Sequence, residues 1–179
     1  MLKNTISRFM CTEKQIPKII SSLNKKNMEP ILDYINENKK DHYKNFNKIK
    51  NNIKTYPNNY FAVKLSSLNI QDNYNQAELY MNDLACVAIE NNCKLLIDAE
   101  NFTIQDEINY MTDEIVEKYN KEEVIIYKTY QCYKKDSFKL LNNDIKNREI
   151  YGDYKIGIKL VRGAYYNEDF KYGYLYKCK

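Results

Sequence analysis

Charged side chains stand at or near the ends of several apolar segments of this sequence. The five residues are Asp33, Lys64, Asp98, Lys128 and Lys159. A charge beside an apolar segment is costly to bury unless it is paired or binds a ligand. Lysines placed this way can bind a carboxylate or an anionic cofactor. For Lys64 and Asp98 we favour a functional role, whereas Asp33 is equally well explained as a helix cap or a solvent-facing residue.

The segments that carry these charges have the composition of β-strands, and they begin about every 30 residues. The five predicted strands are Pro30–Ile35, Tyr60–Leu65, Lys94–Ala99, Val124–Tyr127 and Lys155–Val161. Near-continuous apolar strands are typical of a parallel sheet that is covered by helices.

Apolar residues between the predicted strands recur at helical spacing. Thr103 and Asp106 predict a capping box at the start of the clearest helix. A further helix is predicted at Ile16–Leu23. The apolar faces of the later helices are Ala77, Met81, Leu84, Ala88, then Ile104, Ile108, Met111, Ile115, Tyr119, and then Phe138, Leu141, Ile145.

Strand and helix in alternation are compatible with an open doubly wound sheet and with a (β/α)8 barrel. A doubly wound sheet usually has a glycine-rich phosphate loop after an early strand. The first glycine of this chain is Gly152, and the chain contains no such loop. The sequence therefore favours an α/β fold of the TIM-like barrel type, in which the carboxyl ends of the strands face the active site.

Composition excludes several other classes of protein. Hydrophobic residues make up 44% of the 179 residues, which is too many for a disordered chain. The net charge of +4 is spread along the chain, which argues against a nucleic-acid-binding surface. The Lys- and Asn-rich stretch Asn45–Lys54 is interpreted as a solvated segment.

Metal, disulfide and membrane-spanning sites are not indicated. The five cysteines have irregular spacing without a C-x-x-C pair, which favours a reducing compartment. The one histidine, His42, lies in a polar stretch and is expected at the surface. No apolar segment approaches the roughly 20 residues that span a bilayer. The N-terminus is compatible with a short mitochondrial presequence or with an ordinary start.

Five segments, in order along the chain, resemble the flavin-dependent proline dehydrogenase family. Pro30–Tyr34 resembles its I-L-D-Y strand, and Ala62–Leu68 its A-V-K-L-[ST]-A-L strand. Leu96–Glu100 resembles the I-D-A-E strand end, and Thr129–Tyr133 the T-Y-Q-C-Y turn. Lys159–Tyr165 matches the K-L-V-R-G-A-Y segment of eukaryotic members. The resemblance covers roughly residues 28 to 167.

This resemblance implies oxidation of L-proline to 1-pyrroline-5-carboxylate, with hydride transfer to FAD and electrons passed on to a quinone. It implies catalytic roles for Lys64 and Asp98, with Tyr165 on the substrate side. The residues implied to bind FAD are Lys128, Gln131, Lys159, Val161, Arg162, Gly163 and Ala164. A small glycine and alanine pair would let the cofactor approach the backbone closely.

The sequence departs from the family pattern in two places. The family has Asn or Gln at the position of Lys128, so the flavin contacts there are expected to differ. A (β/α)8 barrel takes about 250 residues, and the family's paired arginines follow its eighth strand. We therefore expect an incomplete barrel of about five βα units that is poorly stable, binds FAD weakly and does not oxidise proline alone.

The predicted organisation is a helical lead-in at 1–27, a partial barrel at 28–167 and a divergent tail at 168–179. The family works in mitochondria, which implies that location and a peripheral association with the inner membrane. Three alternatives stay open. They are a hydroxyproline dehydrogenase, a non-catalytic partner of a full-length homologue, and an unrelated α/β protein with chance matches.

Overall fold

The computed structural model describes residues 10–34 and 41–171, and the chain divides into two compact units, Met1–Ile31 and Leu32–Lys179. Among the described residues of the first unit, helix α1 spans Ile16–Asn24. The helix predicted in this segment is therefore confirmed.

Five strands form one sheet in the order β1-β2-β3-β4-β5, and the pairs from β2 to β5 are parallel. This is the α/β, TIM-barrel-like arrangement that the sequence predicts. The strands are β1 (Ile31–Asp33), β2 (Tyr60–Val63), β3 (Lys94–Ile97), β4 (Ile126–Gln131) and β5 (Gly157–Val161). The helices that follow them are α2 (His42–Thr55), α3 (Tyr74–Glu90), α4 (Gln105–Tyr119), α5 (Ser137–Tyr151) and α6 (Tyr166–Lys171).

One face of the sheet packs against the helices and forms the apolar core. Val63, Ile97 and Ile126 lie on this face and are buried, each less than 2% exposed. Because side chains alternate along a strand, the neighbouring residues Ala62, Leu96 and Tyr127 lie on the opposite face. The helices contribute buried apolar residues that include Ile53, Met81, Leu84, Met111 and Ile115.

The stretch Asn45–Lys54 was predicted to be a solvated segment, and that prediction is wrong. It lies within α2, where Phe46, Ile49 and Ile53 are buried in the core. Their spacing of three and four residues places them on one helix face, and the lysines occupy the other positions. His42, expected at the surface, is half-buried, and its Nδ1 lies 3.1 Å from the carbonyl oxygen of Ser67.

The capping box predicted at Thr103 is absent. Helix α4 begins after Ile104, which provides no side-chain cap. The hydroxyl and the backbone amide of Thr103 both donate to Oδ1 of Asn101, at 2.5 and 3.1 Å. Thr103 therefore belongs to a short turn before the helix, where Asn commonly accepts such bonds.

Strand β4 differs most from the prediction, because it begins two residues later and ends four residues later than expected. The predicted turn residues Thr129, Tyr130 and Gln131 pair with β5 as strand residues. The side chain of Asn120 fixes the start of the strand. Its Oδ1 accepts from the amides of Ile125 and Ile126, at 2.9 and 2.8 Å.

At the β5 edge, the described residues leave apolar side chains uncovered. Ile158 and Leu160 point to the helix side of the sheet by their register with Lys128 and Tyr130. They are 39% and 61% exposed. Of the strands in the described ranges, β5 has β4 as its single neighbour, so this edge has unpaired backbone groups.

The buried Tyr130 should make the free energy of unfolding depend on pH in the alkaline range. Burial, followed by the 2.7 Å hydrogen bond to Asp144 Oδ2, raises the pKa of Tyr130. The folded chain therefore keeps this proton where the unfolded chain loses it. The stabilisation is fully present below about pH 10 and is lost as the pH rises further.

We expect the free energy of unfolding of Tyr130→Phe to fall less steeply above about pH 10 than that of the wild type, by about 1.4 kcal/mol per pH unit. Urea unfolding at a series of pH values measures this slope. Tyr151→Phe, at a tyrosine that is 81% exposed, is the control and should follow the wild type. Parallel curves for Tyr130→Phe and the wild type would contradict the prediction.

Candidate functional site

Four polar side chains form a row across the sheet, on the face opposite the helices. Val63 pairs with Ile97, and Ile97 pairs with Lys128. The residues that directly follow these three are Lys64, Asp98 and Thr129, and they are therefore neighbours as well. Thr129 pairs with Lys159. Since alternate residues share a face, all four side chains point to the same side of the sheet.

Ion pairs connect the charged members of this row. Lys64 Nζ lies 2.9 Å from Asp33 Oδ2 and 3.4 Å from Asp98 Oδ2. Lys159 Nζ lies 2.5 Å from Asp98 Oδ1. Asp98 thus binds one lysine with each carboxylate oxygen, and the charges alternate from β1 to β5. We call Asp33, Lys64, Asp98 and Lys159 the charged row.

Asp98 is the most enclosed member of the charged row. Its side chain is 18% exposed, against 21% for Lys159 and 38% for both Lys64 and Asp33. A carboxylate so enclosed depends on its partners, because an unpaired charge there is poorly solvated. Asp98 therefore fixes the position of both lysines, whereas Asp33 adds an outer contact to Lys64.

The pKa of Lys64 reflects this environment. Burial opposes the charged ammonium and by itself lowers the pKa. The hydrogen bond to Asp33 and the charges of Asp33 and Asp98 outweigh that effect, so the pKa is raised above its ordinary value. Lys64 is therefore a cation throughout the neutral range, suited to binding a carboxylate and unsuited to serving as a base.

Thr129 lies between the two ion-paired groups. It is 6% exposed, and its Oγ1 has no hydrogen-bond partner among the described residues. Buried hydroxyl groups usually have a partner, so an unpaired one on the face that carries the charged row is a possible ligand contact. No role was predicted for Thr129, because its position on this face follows only from the strand register.

A second layer of polar contacts lies just beyond the charged row. The amide of Ser66 donates to Glu100 Oε1 at 2.9 Å, and its hydroxyl donates to Oε2 at 2.5 Å. Gln131 Nε2 donates to the carbonyl oxygen of Glu100 at 2.7 Å. Glu100 is 5% exposed, so it ties the end of β2 to the end of β4 from inside. The acid directly after an apolar strand was its signal in the sequence.

Tyr165 and Lys64 line the same cavity, which has a volume of about 180 Å3. Asp33, Tyr34, Ser66 and Glu100 line it as well. The structure thus brings the predicted substrate-side tyrosine to Lys64, for which the family resemblance implies a catalytic role. Asp33, which the sequence left between two explanations, is part of this cavity wall and of the charged row.

The segment after β5 contains the remaining predicted residues. Val161 ends the strand, and its carbonyl oxygen accepts from the amide of Cys132 at 2.8 Å. Arg162 and Ala164 are exposed, and Gly163 has a φ of +121°. A Cβ at Gly163 would lie 1.3 Å from Cε1 of the Tyr133 ring. Glycine is therefore required here by its backbone conformation and by this ring.

Lys128 is not brought together with the other predicted residues. It is the third residue of β4, not the last, and its side chain points to the helices. Its Nζ lies 2.6 Å from Asp113 Oδ1 and 2.8 Å from Asp144 Oδ2, and the side chain is 5% exposed. The lysine is enclosed between α4 and α5, on the opposite face from Lys159. This position does not support the predicted flavin contact.

The comparisons with known proteins agree with the sequence motifs. A family model described as proline dehydrogenase matches residues 16–174. The chain belongs to the proline dehydrogenase family. Members of this family are flavoenzymes in general.

Curated relatives are similar over about half of the chain. "Proline dehydrogenase 1, mitochondrial" of Drosophila melanogaster is 35% identical over 89 residues, 50% of this chain and 13% of the relative. "Probable proline dehydrogenase, mitochondrial" of Schizosaccharomyces pombe is 41% identical over 90 residues, 50% of this chain and 18% of the relative. "Hydroxyproline dehydrogenase" of Xenopus laevis is 36% identical over 91 residues, 51% of this chain and 19% of the relative. The matches thus span less than a fifth of each relative's length.

Solved structures share the fold. A structure of proline utilization A from Bdellovibrio bacteriovorus, inactivated by N-propargylglycine, has a TM-score of 0.71 at 14% identity. It covers 89% of this chain, which corresponds to 20% of that protein. A structure of proline utilization A with proline bound in remote sites has a TM-score of 0.61 at 19% identity, over 74% of this chain and 15% of that one.

No helix among residues 10–34 and 41–171 is long and apolar enough to cross a membrane. In the same ranges, no group of His, Cys, Asp or Glu residues is arranged to hold a metal ion.

The charged row predicts unequal effects of removing its two acids. Asp98→Asn leaves the partly enclosed Lys159 and the more exposed Lys64 without their shared carboxylate, and we expect a loss of about 1–3 kcal/mol in the free energy of unfolding. Asp33→Asn removes a more exposed pair and should cost less than about 1 kcal/mol. Urea unfolding at neutral pH measures both variants. Equal losses, or a larger loss for Asp33→Asn, would show that Asp98 does not hold the row.

Proposed function

We propose that this chain supplies the substrate-side and flavin-side strands of a proline dehydrogenase. The reaction is the oxidation of L-proline to 1-pyrroline-5-carboxylate, a step of proline catabolism towards glutamate. The observation that supports it most is the charged row, Asp33 to Lys159, on the face opposite the helices in a chain of this family.

Lys64 would bind the carboxylate of proline. Its ammonium stays charged at neutral pH, and its side chain is 38% exposed at the wall of the 180 Å3 cavity. A cation in a partly enclosed site binds a carboxylate through a charge-assisted hydrogen bond. Tyr165, on the same wall, would pack against the ring of the substrate.

Asp98 would position both cations. It contacts Lys64 and Lys159 with separate oxygens. Without it, the two ammonium groups would repel each other across the row. Asp98 therefore sets the distance between the group that would hold the substrate and the group that would face the cofactor.

The residues on this face fit a flavin. The buried Thr129 hydroxyl lacks a partner among the described residues, and Lys159 supplies a cation beside it. When bound, FAD would supply the acceptor for the hydride that leaves C5 of proline. A flavin that gains electrons is stabilised by a nearby positive charge. Lys159 would provide that charge.

Gln131 and the segment Val161 to Ala164 would border the same cofactor. Gln131 is buried at the end of β4, and Arg162 and Ala164 are exposed on the adjoining loop. Arg162 could pair with a phosphate group. Lys128 is not included, because its ion pairs with Asp113 and Asp144 hold it on the helix side.

The reaction removes a hydride from C5 and a proton from the ring nitrogen, which leaves the C=N bond of the product. The electrons would then pass to a quinone. The relatives' names support a mitochondrial location. A peripheral association with the inner membrane is part of the proposal and rests on the family resemblance alone.

Hydroxyproline is the second candidate substrate. A relative named hydroxyproline dehydrogenase is 36% identical over 51% of this chain, which lies within the range of the relatives named for proline. Both substrates have the same carboxylate and ring nitrogen, so Lys64 and Asp98 would serve either. A direct comparison of the two substrates decides between them.

The test is binding of FAD, followed by flavin fluorescence, with the full 179-residue chain. We expect saturable binding that Lys159→Met weakens about tenfold, because one charge-assisted contact is lost. Lys118→Met changes a lysine on α4 that pairs with Asn82 outside the site, and it should bind like the wild type. Equal affinity of wild type and Lys159→Met would contradict the proposed role of Lys159.

The same samples then receive L-proline or trans-4-hydroxy-L-proline without oxygen. The substrate that bleaches the bound flavin faster is the preferred one. Binding of FAD with no bleaching by either compound would agree with the expectation that this chain does not oxidise proline alone, and also with a non-catalytic partner of a full-length homologue. No binding of FAD by the wild type would overturn the proposed function for this chain.

A further inference from the structure

Tyr133 lies where the end of β4 meets the loop after β5. We propose that Tyr133 is a positioning residue, whose ring supports the Arg162–Gly163 backbone and whose hydroxyl orients Gln131. The proposal rests on the proposed function, since it concerns the loop and the amide that would border the cofactor. Nothing in the reaction requires Tyr133 to contact substrate or cofactor itself.

The ring of Tyr133 fills the space beside Gly163. Three of its ring carbons would lie 1.3, 1.8 and 2.6 Å from a Cβ built on that glycine. The amide of Tyr133 also donates to the carbonyl oxygen of Arg162 at 3.3 Å. The Tyr133 ring thus packs against the loop at Gly163, and the Tyr133 backbone amide is hydrogen-bonded to the loop at Arg162.

The hydroxyl of Tyr133 is shared by two acceptors. It is hydrogen-bonded to Gln131 Oε1 and lies 2.5 Å from Asp169 Oδ2. The nitrogen end of the Gln131 amide is restrained separately, because its Nε2 donates to the carbonyl oxygen of Glu100 at 2.7 Å. Its Oε1 therefore faces Tyr133, which restrains the amide from the second end.

Asp169 connects the same hydroxyl to helix α6. The residue is fully buried, and its Oδ2 lies 3.3 Å from Lys134 Nζ. Burial, followed by the hydrogen bond and charge of Asp169, raises the pKa of Tyr133. The phenol therefore keeps its proton at neutral pH and can donate it to one acceptor at a time.

The ring and the hydroxyl of Tyr133 therefore have separate functions, one at the loop backbone and one at the Gln131 amide. Loss of the whole ring should loosen the Arg162–Gly163 backbone, since the three atoms nearest to the space beside the glycine all belong to this ring. Loss of the hydroxyl alone should leave that backbone in place and remove the restraint on Oε1 of Gln131, while Nε2 keeps its bond to Glu100. Leucine and phenylalanine substitutions at this position distinguish the two.

The first experiment needs no cofactor. The chain has three arginines, Arg8, Arg148 and Arg162, so an arginine-specific protease cuts it at few sites. We expect Tyr133→Leu to increase cleavage after Arg162 about tenfold relative to cleavage after Arg148, because local opening becomes easier. Tyr133→Phe should stay within about twofold of the wild-type ratio.

The ratio of the two cleavage rates distinguishes local opening at Arg162 from general unfolding, because general unfolding would accelerate both cleavages. Gly163→Ala gives a second test, since its methyl group would collide with the ring. Gly163→Ala should also increase cleavage after Arg162. The increase should be smaller when it is introduced into Tyr133→Leu, because the ring that the methyl group would hit is then absent. An unchanged Arg162-to-Arg148 ratio in Tyr133→Leu would overturn the supporting role of the ring.

The second experiment measures FAD affinity by flavin fluorescence. Tyr133→Phe should weaken binding about fivefold, and Gln131→Leu should abolish any further effect of Tyr133→Phe, because both act through one amide. Tyr151→Phe is the control at an exposed tyrosine. Full affinity in Tyr133→Phe would overturn the role of the hydroxyl. If the wild type binds no FAD, the proposed function fails, and the protease ratio still decides the role of the ring.

Discussion

One carboxylate, that of Asp98, holds two lysines on opposite sides of it, and the rest of the candidate site depends on this arrangement. Lys64 and Lys159 reach it from β2 and β5. The four strands β2 to β5, which carry or separate these residues, must therefore keep their register. A shift of β5 by one residue would turn Lys159 to the helix side.

The apolar core on the other face keeps that register. Val63, Ile97 and Ile126 pack against α2, α3 and α4 and allow few alternatives for the strands. On the polar face, Glu100 and Gln131 add a second layer that joins the ends of β2 and β4 to the loop after β3. Tyr133 extends this layer to the loop after β5. The ion pairs, the apolar core and the loop contacts thus all restrain the carboxyl ends of the same strands.

The existence of the five strands and their helices could be predicted from the sequence, because apolar segments and helical spacing are local properties. The ends of β4 could not. Val124–Tyr127 is apolar without alternation, so nothing in it shows which residues face the helices. Lys128 was misplaced for that reason, since its partners Asp113 and Asp144 are 15 and 16 residues away on two helices. The pairing of Asp33 with Lys64, 31 residues apart, is also a tertiary contact that spacing cannot reveal.

A double-mutant cycle between Asp98 and Lys159 tests the central claim most directly. Urea unfolding of Asp98→Asn, Lys159→Met and the double variant gives the coupling free energy between the two side chains. We predict a favourable coupling of about 1–3 kcal/mol, as for residues in one ion-pair network. Additive losses, within about 0.5 kcal/mol, would mean that Asp98 does not hold Lys159 and that the charged row is not one unit.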